Sequence, residues 1–300
     1  MAALAQASLI FGQERLADMT ALTNAKLSQE SGNAVPVHPV SGQLRCSLSE
    51  NILNVIDEYQ KLVQDLRPFE VPMLNQIRAF FRIGTVWSSN AIEGFTYTEM
   101  ETKILLEDGL TAGGKPLRDA LAVIGQAEAY DHMFTLLRRR NLSEIDALRF
   151  HALLSGSLDN EAYPGVYRQT PVVVTGSEFK FPDPGEVPGL MEKLFQEIAA
   201  DRHRHHPVAF AAHIHKELAT IHPFADGNGR VARLAMNTLL IQDGFLPTII
   251  APVLRHEYYQ TLQIAQKKKD EQPFIEFIYR CELETQKEML RHLGHGREPE

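Results

Sequence analysis

The twelve residues His222-Pro-Phe-Ala-Asp-Gly-Asn-Gly-Arg-Val-Ala-Arg233 constrain this chain more than any other stretch. Val231, Leu234, Ala235, Thr238 and Leu239 recur at i, i+3, i+4, i+7 and i+8. That spacing predicts a helix opening at the end of the stretch, with Gly244 as its C-terminal cap. Asp226-Gly227-Asn228-Gly229 then falls in the turn entering a helix N-terminus. The first N–H groups of a helix lack internal partners and the helix dipole adds positive potential. The turn is therefore an anion site before any side chain is counted. Two glycines permit positive φ and close approach of the backbone to a ligand.

Arg230 and Arg233 follow at i, i+3 on the first helical turn. Two guanidiniums there oppose the dipole unless an anion of several charges lies above them. Asp226 puts a carboxylate beside the same anion, which repels phosphate unless a divalent cation intervenes. Mg²⁺ uses one or two carboxylates plus phosphate oxygens in this way. His222 adds a group that titrates near neutrality, as a general base requires.

This stretch resembles the signature of the Fic family (filamentation induced by cAMP), H-x-F-x-[DE]-G-N-G-R-x-x-R. His222, Phe224, Asp226, Gly227, Asn228, Gly229, Arg230 and Arg233 match every fixed position. No Gly-Lys-Ser/Thr follows, so it is not a Walker loop. The resemblance implies an AMP transferase, in which a hydroxyl of a protein attacks the α-phosphate of ATP and pyrophosphate leaves. His222 is then the base, and Asp226 holds Mg²⁺ across the α- and β-phosphates. The N–H groups of Gly227 to Gly229, with Asn228, bind phosphate. Arg230 reaches the β-phosphate region and Arg233 the γ-phosphate, while Phe224 packs inward. Gly229-Arg230 favours AMP over simple phosphate transfer.

Upstream, a helix is predicted from near Pro72 to Glu93, with Phe80, Phe81, Ile83 and Trp87 as core and Gly94 as C-cap. Glu93 in its last turn opposes the dipole, so a cation elsewhere, with Arg233 a candidate, would relieve it. The segment also resembles the inhibitory motif of many Fic proteins, [ST]-x-x-x-E-[GN], through Ser89, Glu93 and Gly94. Its place ahead of the core is similar to the subclass with an N-terminal inhibitory helix. The resemblance implies that Glu93 pairs with Arg233 and denies it to the γ-phosphate.

The fold expected is all-α with one small β-hairpin. Residues 1–45 read as an arm or linker, 46–115 as a helical region with the inhibitory helix, and 116–300 as the catalytic core with C-terminal helices. Ile52, Val55, Ile56, Tyr59, Leu62, Val63 and Leu66 form one helical stripe. Thr98-x-x-Glu101 is a capping box. A long helix is expected from Pro116 to about Arg140, and others from Ser143, Glu186, Pro207, Arg255 and Pro273. Pro171 to Phe181 reads as the hairpin, with Val172, Val173 and Val174 as a β-branched strand. With Pro164-Gly-Val-Tyr-Arg168 before it, the hairpin resembles the Fic flap, which takes the target segment as an added strand. Tyr258 and Tyr259 both fit a core; the resemblance places one of them, Tyr259 in preference, in the adenine pocket, with Gln266 nearby.

The formal net charge of −8, with no basic stripe, argues against a nucleic-acid partner. No apolar run approaches the ~18–20 residues that span a bilayer, and no basic region precedes the first apolar stretch. Cys46 and Cys281 lack metal-ligand spacing and fit reduced thiols in a cytoplasm. Histidines are dense from His203 to His222, but His213 and His215 do not share a helix face, which argues against zinc. A homo-oligomer stays open, as do two other functions. The same site can run backwards, with Glu93 orienting water against a protein–AMP linkage. A non-catalytic nucleotide-sensing or toxin–antitoxin module is the other, against which intact His222 and Asp226 argue.

Overall fold

The helix that follows the signature loop is buried on every side, and the remaining helices are arranged around it. In a computed structural model, Asn228–Gln242 is helical, and every residue from Arg230 to Ile241 is buried. A helix apolar or satisfied all round belongs at the centre of a bundle. The structure describes residues 41–67, 71–139, 141–155, 164–173 and 179–294, apart from the side chains of 41–50 and 71–72.

In chain order the helices are α1 (Ser41–Asp65), α2 (Val71–Glu93), α3 (Glu99–Asp108), α4 (Leu117–Thr135), α5 (Glu144–Ser155), α6 (Val187–Asp201), α7 (Pro207–Ile221), α8 (Asn228–Gln242), α9 (Arg255–Lys268) and α10 (Gln272–His292). Short 3₁₀ turns lie at Pro184–Glu186, Arg202–Arg204 and Pro252–Leu254. Helix α8 packs against α7, α5, α4 and α2; α7 in turn meets α10, α6 and α9, and α1 lies along α10.

Local chemistry sets several boundaries. Thr98 Oγ1 accepts the Glu101 N–H (3.2 Å) and Glu101 accepts the Thr98 N–H (2.7 Å), so the capping box opens α3. Pro207 starts α7, where its missing N–H costs nothing. Gly125 lets α4 approach α5 so closely that an added Cβ would lie 2.7 Å from the Leu153 carbonyl oxygen.

Two expectations are corrected. The helix expected to reach Arg140 ends at Thr135, and α1 begins at Ser41, inside the expected arm. Residues 1–40 of that arm lie outside the described residues. No strand occurs among the described residues. Val172 is half-buried and Val173 is exposed, neither in a ladder, and Val174 with the expected turn lies outside the described residues. A β-branched run becomes a strand only where a neighbouring segment completes its hydrogen bonds. No described helix is long and apolar enough to cross a membrane.

His213, Glu217 and Glu271 lie close enough together to share a metal ion. Yet both ring nitrogens of His213 already face carboxylates, Glu271 at 2.8 Å and Glu197 at 2.9 Å. The Lys216 ammonium rests against Glu217 and lies 3.0 Å from Glu271. A cation already fills the cluster, which is an ion-pair network joining α6, α7 and the start of α10.

Glu282 is fully buried in α10 and holds the segment between α8 and α9 by accepting from Thr248 Oγ1 (2.5 Å). Burial pushes its pKa up to about 8 from 4.5. Between those values the folded state binds the extra proton, so stability falls as pH rises through that window. Glu282→Gln keeps the shape without the titration. Urea unfolding at pH 5 and pH 8 should show the variant gaining a few kcal/mol on the parent over that interval, at roughly 1.4 kcal/mol per unit. Parallel pH profiles would remove Glu282 as the cause.

Candidate active site

His222 ends α7 in the left-handed region, φ 52° and ψ 59°, with its N–H donating to the Leu218 carbonyl (2.9 Å). Its Nδ1 lies 3.3 Å from the Ala219 carbonyl, which can only accept. The proton is therefore on Nδ1, and Nε2 carries the free lone pair. The ring centroid lies 4.4 Å from that of Phe181. Burial lowers the pKa of His222, so the neutral imidazole prevails at neutral pH.

The loop beyond it is closed by one side chain. Asn228 Oδ1 accepts the Phe224 N–H and Nδ2 donates to the Phe224 carbonyl, both at 2.8 Å. Asn228, expected among the phosphate ligands, is thus turned into the loop, and its side chain shapes the turn. Phe224 is fully buried and stacks on His151, ring centroids 3.9 Å apart and planes within 8°. His151 accepts the Gly165 N–H at Nδ1 (3.0 Å) and meets Ser155 Oγ through Nε2 (3.0 Å). Burial and the nearby Arg230 charge lower its pKa to about 4, so it stays neutral.

Gly227, at φ 76°, is the N-cap of α8, where a side chain would be strained. Its N–H donates to Asp226 Oδ1 (2.6 Å). The Asp226 side chain is otherwise 82% exposed, with Oδ2 3.7 Å from Arg230 Nη2. Arg230 is buried with its guanidinium 5.2 Å from the Phe95 ring centroid. Its Nε and Nη1 have no hydrogen-bond partner among the described residues. Burial works against its charge.

Arg233 meets the C-terminal turn of α2. Its Nη2 donates to Glu93 Oε1 (2.6 Å) and to the Ser89 carbonyl (3.0 Å), while Nε donates to Ser89 Oγ (2.9 Å). Nη1 donates to the Tyr258 hydroxyl (3.2 Å), which lies 3.1 Å from His215 Nε2. Burial opposes the Arg233 charge, but Glu93 outweighs it and holds the pKa above the usual value. His215 is driven down to about 3 by burial and by Arg233, so it is neutral. The Glu93 carboxylate also lies over Gly229: a Cβ added there would fall on Glu93 Oε1 and 3.2 Å from Arg233 Nη1. An acidic group thus sits at the N-terminal turn of α8, where the dipole and two arginines attract an anion.

The Tyr259 hydroxyl donates to Glu93 Oε2 (3.3 Å) and faces the Ile92 carbonyl (3.5 Å). Arg255 donates to the same carbonyl (2.6 Å) and lies 5.4 Å from the Tyr259 ring centroid. Tyr259, expected against adenine, meets the end of α2 through these contacts. Gln266 Nε2 reaches the Ala219 carbonyl (3.4 Å), beside the His222 turn. Sequence reasoning missed His151, Arg168 and Arg255, and did not join Tyr258 to Arg233; these contacts form only through space. Arg168 had a local signal, Pro164-Gly-Val-Tyr-Arg168, but no assigned role.

The contact over Gly229 predicts a specific non-additivity. Gly→Ala in a helix normally gains up to about 1 kcal/mol. Here Gly229→Ala should deflect Glu93 from Arg233 and lose that gain. In a Glu93→Gly background the clash is gone. Urea midpoints of the four proteins should give a coupling of about 1–3 kcal/mol, and additivity within about 0.5 kcal/mol would refute the contact.

Residues 141–240, which contain the loop and most of α8, match the Fic/DOC family. A Nematostella vectensis protein adenylyltransferase Fic is 35% identical over 246 residues, covering 79% of this chain and 55% of that protein. One from Culex quinquefasciatus is 36% identical over 203 residues, covering 67% and 40%. The chain thus spans about half the length of the curated relatives it matches. Among solved structures, Fic-1 (aa134–508) from C. elegans superposes with TM-score 0.74 at 25% identity, over 85% of this chain and 74% of that one. A Fic-domain signaling protein from Bacteroides thetaiotaomicron gives 0.73 at 25%, over 81% and 99%. With the family match spanning the signature loop and these relatives covering most of its length, the chain belongs to the Fic family.

Proposed function

We propose that this chain is an autoinhibited protein adenylyltransferase, moving AMP from ATP to a Ser, Thr or Tyr hydroxyl of a protein. One observation carries the reading: a carboxylate, Glu93, lies on Arg233 and over Gly229 at the anion-binding end of α8, beside a neutral His222. The curated relatives bear the name protein adenylyltransferase, which supports the same chemistry here.

The residues divide the work as follows. His222 Nε2 takes the proton of the incoming hydroxyl, whose oxygen then attacks the α-phosphorus. Pyrophosphate leaves in line from the opposite side. Such displacement depends on positioning and charge neutralisation more than on covalent chemistry. The N–H groups opening α8, fixed by the Gly227 cap and the Asn228 clasp, face the charge that develops on phosphate oxygens. Arg230, buried with Nε and Nη1 unpartnered among the described residues, is suited to the same anion. Asp226 fits a divalent cation: its carboxylate is a hard oxygen donor, largely exposed, and Oδ2 accepts no hydrogen bond among the described residues. Asp226 would hold Mg²⁺ with phosphate oxygens, and the ion would supply charge neutralisation. With Glu93 on Arg233, the γ-phosphate loses its clamp and the α-phosphate is misplaced for attack.

Glu93 also acts on the charge of His222 through space, which keeps the reverse reaction as a second reading. There Glu93 orients water against a protein–AMP linkage and His222 protonates the departing hydroxyl. A pre-modified target would separate the two, since the parent would strip AMP and Glu93→Gly would not.

Labelling from α-³²P-ATP with Mg²⁺, read as self-modification, tests the main proposal. Glu93→Gly should label at least about tenfold faster than the parent, a change of roughly 1.4 kcal/mol or more. Adding His222→Ala should remove about 10²–10⁴ of that rate while nucleotide binding persists. Label in no protein, with ATP bound, would overturn the transferase reading.

A further inference from the structure

We propose that Arg168 is a positioning residue, tying His222 to both ends of the segment between residues 169 and 182. It rests on the reading of His222 as the base. The Arg168 side chain donates to three carbonyls: Nε to His222 (2.8 Å), Nη1 to Thr170 (3.2 Å) and Nη2 to Pro182 (2.6 Å). Its backbone N–H donates to the Pro223 carbonyl (2.9 Å). The residue is 3% exposed. Three carbonyls lying in different directions require the planar fork of a guanidinium; an ammonium on a flexible stem cannot span them.

Two of the four bonds grip consecutive carbonyls, those of His222 and Pro223. That matters because His222 is a non-glycine residue in the left-handed region, a strained conformation that persists only when its surroundings over-determine it. The hold on its carbonyl fixes the peptide, and the peptide direction fixes where the imidazole points. The other two bonds pin the exit and return of residues 169–182. At the returning end, Phe181 packs on the imidazole itself. A shift of this segment therefore reaches the base by two routes, through the guanidinium and through the ring. An acceptor polypeptide seated against Pro171–Val173, where Pro171 and Val173 are exposed and Val172 is half-buried, would bear on both.

The test uses the full chain carrying Glu93→Gly, with and without Arg168→Lys, and thermal unfolding to establish that each protein is folded. The ¹⁵N shifts of the His222 ring report its tautomer independently of activity. Expected for Arg168→Lys is a fall of the Nδ1–H tautomer from dominant to mixed. The kcat for AMP transfer should drop roughly ten- to hundredfold, the scale set by misplacing a catalytic group. The KM for ATP should stay within about twofold, as expected when a positioning contact outside the nucleotide is lost. Folded Arg168→Lys with unchanged His222 shifts and kcat would overturn the proposal. Should that variant not fold, Phe181→Leu tests the same link: altered His222 shifts with kcat lowered at least about threefold support it, and unchanged values overturn it. Absence of AMP transfer in Glu93→Gly itself would sink the transferase reading, while the His222 shifts would still decide the role of Arg168.

Discussion

A buried guanidinium, that of Arg233, lies where α2, α8 and α9 meet, and the placement of those helices follows from satisfying it. A charge so buried costs several kcal/mol in lost hydration, which only well-placed partners return. Its partners come from Ser89 and Glu93 on α2 and from Tyr258 on α9. Tyr258 passes the network on to His215 of α7, which burial and the Arg233 charge keep neutral. Four helices are thus cross-linked through one cation. The last turn of α2 is held a second time, by Arg255 on the Ile92 carbonyl and by Tyr259 on Glu93.

The loop before α8 depends on this core in turn. Helix α7 ends at His222, where Arg168 holds the carbonyl from one side and Asn228 closes the following turn from the other. Phe224 then fills the space beneath, against His151. These groups fix where the N–H groups of α8 and the imidazole point, which is the geometric requirement for phosphoryl chemistry.

What the sequence made legible was local. The positive-φ glycine entering α8 and the capping box at Thr98 are written in adjacent residues, so their geometry could be read directly. The pairing of Glu93 with Arg233, 140 positions apart, was reachable because a misplaced carboxylate in a last turn asks for a cation and the motif resemblance supplied one. Asn228 shows the limit. An amide serves a phosphate or a backbone equally well, and only the path of residues 224–228 decides between them. His151 and Tyr258 carry no local pattern for their roles here, and the pattern around Arg168 assigned it none, because these roles consist of contacts with residues distant in the chain. Val172 and Val173 have strand propensity, but propensity without a ladder partner specifies nothing.

The ion pair at the centre is asymmetric, and that asymmetry bears on how the site opens. The Arg233 side chain is 5% exposed, whereas that of Glu93 is 27% exposed. The carboxylate can therefore swing to water at modest cost, while the guanidinium cannot leave. Ser89 and Tyr258 keep Arg233 in place when Glu93 departs, so α2 need not unwind. A polyphosphate arriving at α8 would exchange one anion for another on a cation that is never left bare. On the proposed reading, the barrier to opening is the difference between two anions rather than the cost of desolvating Arg233. Moving such an equilibrium from 1:99 to 99:1 takes about 5.5 kcal/mol of differential affinity. An exchange of anions reduces what the incoming ligand must supply, because the several kcal/mol of burying the guanidinium are common to both states and cancel.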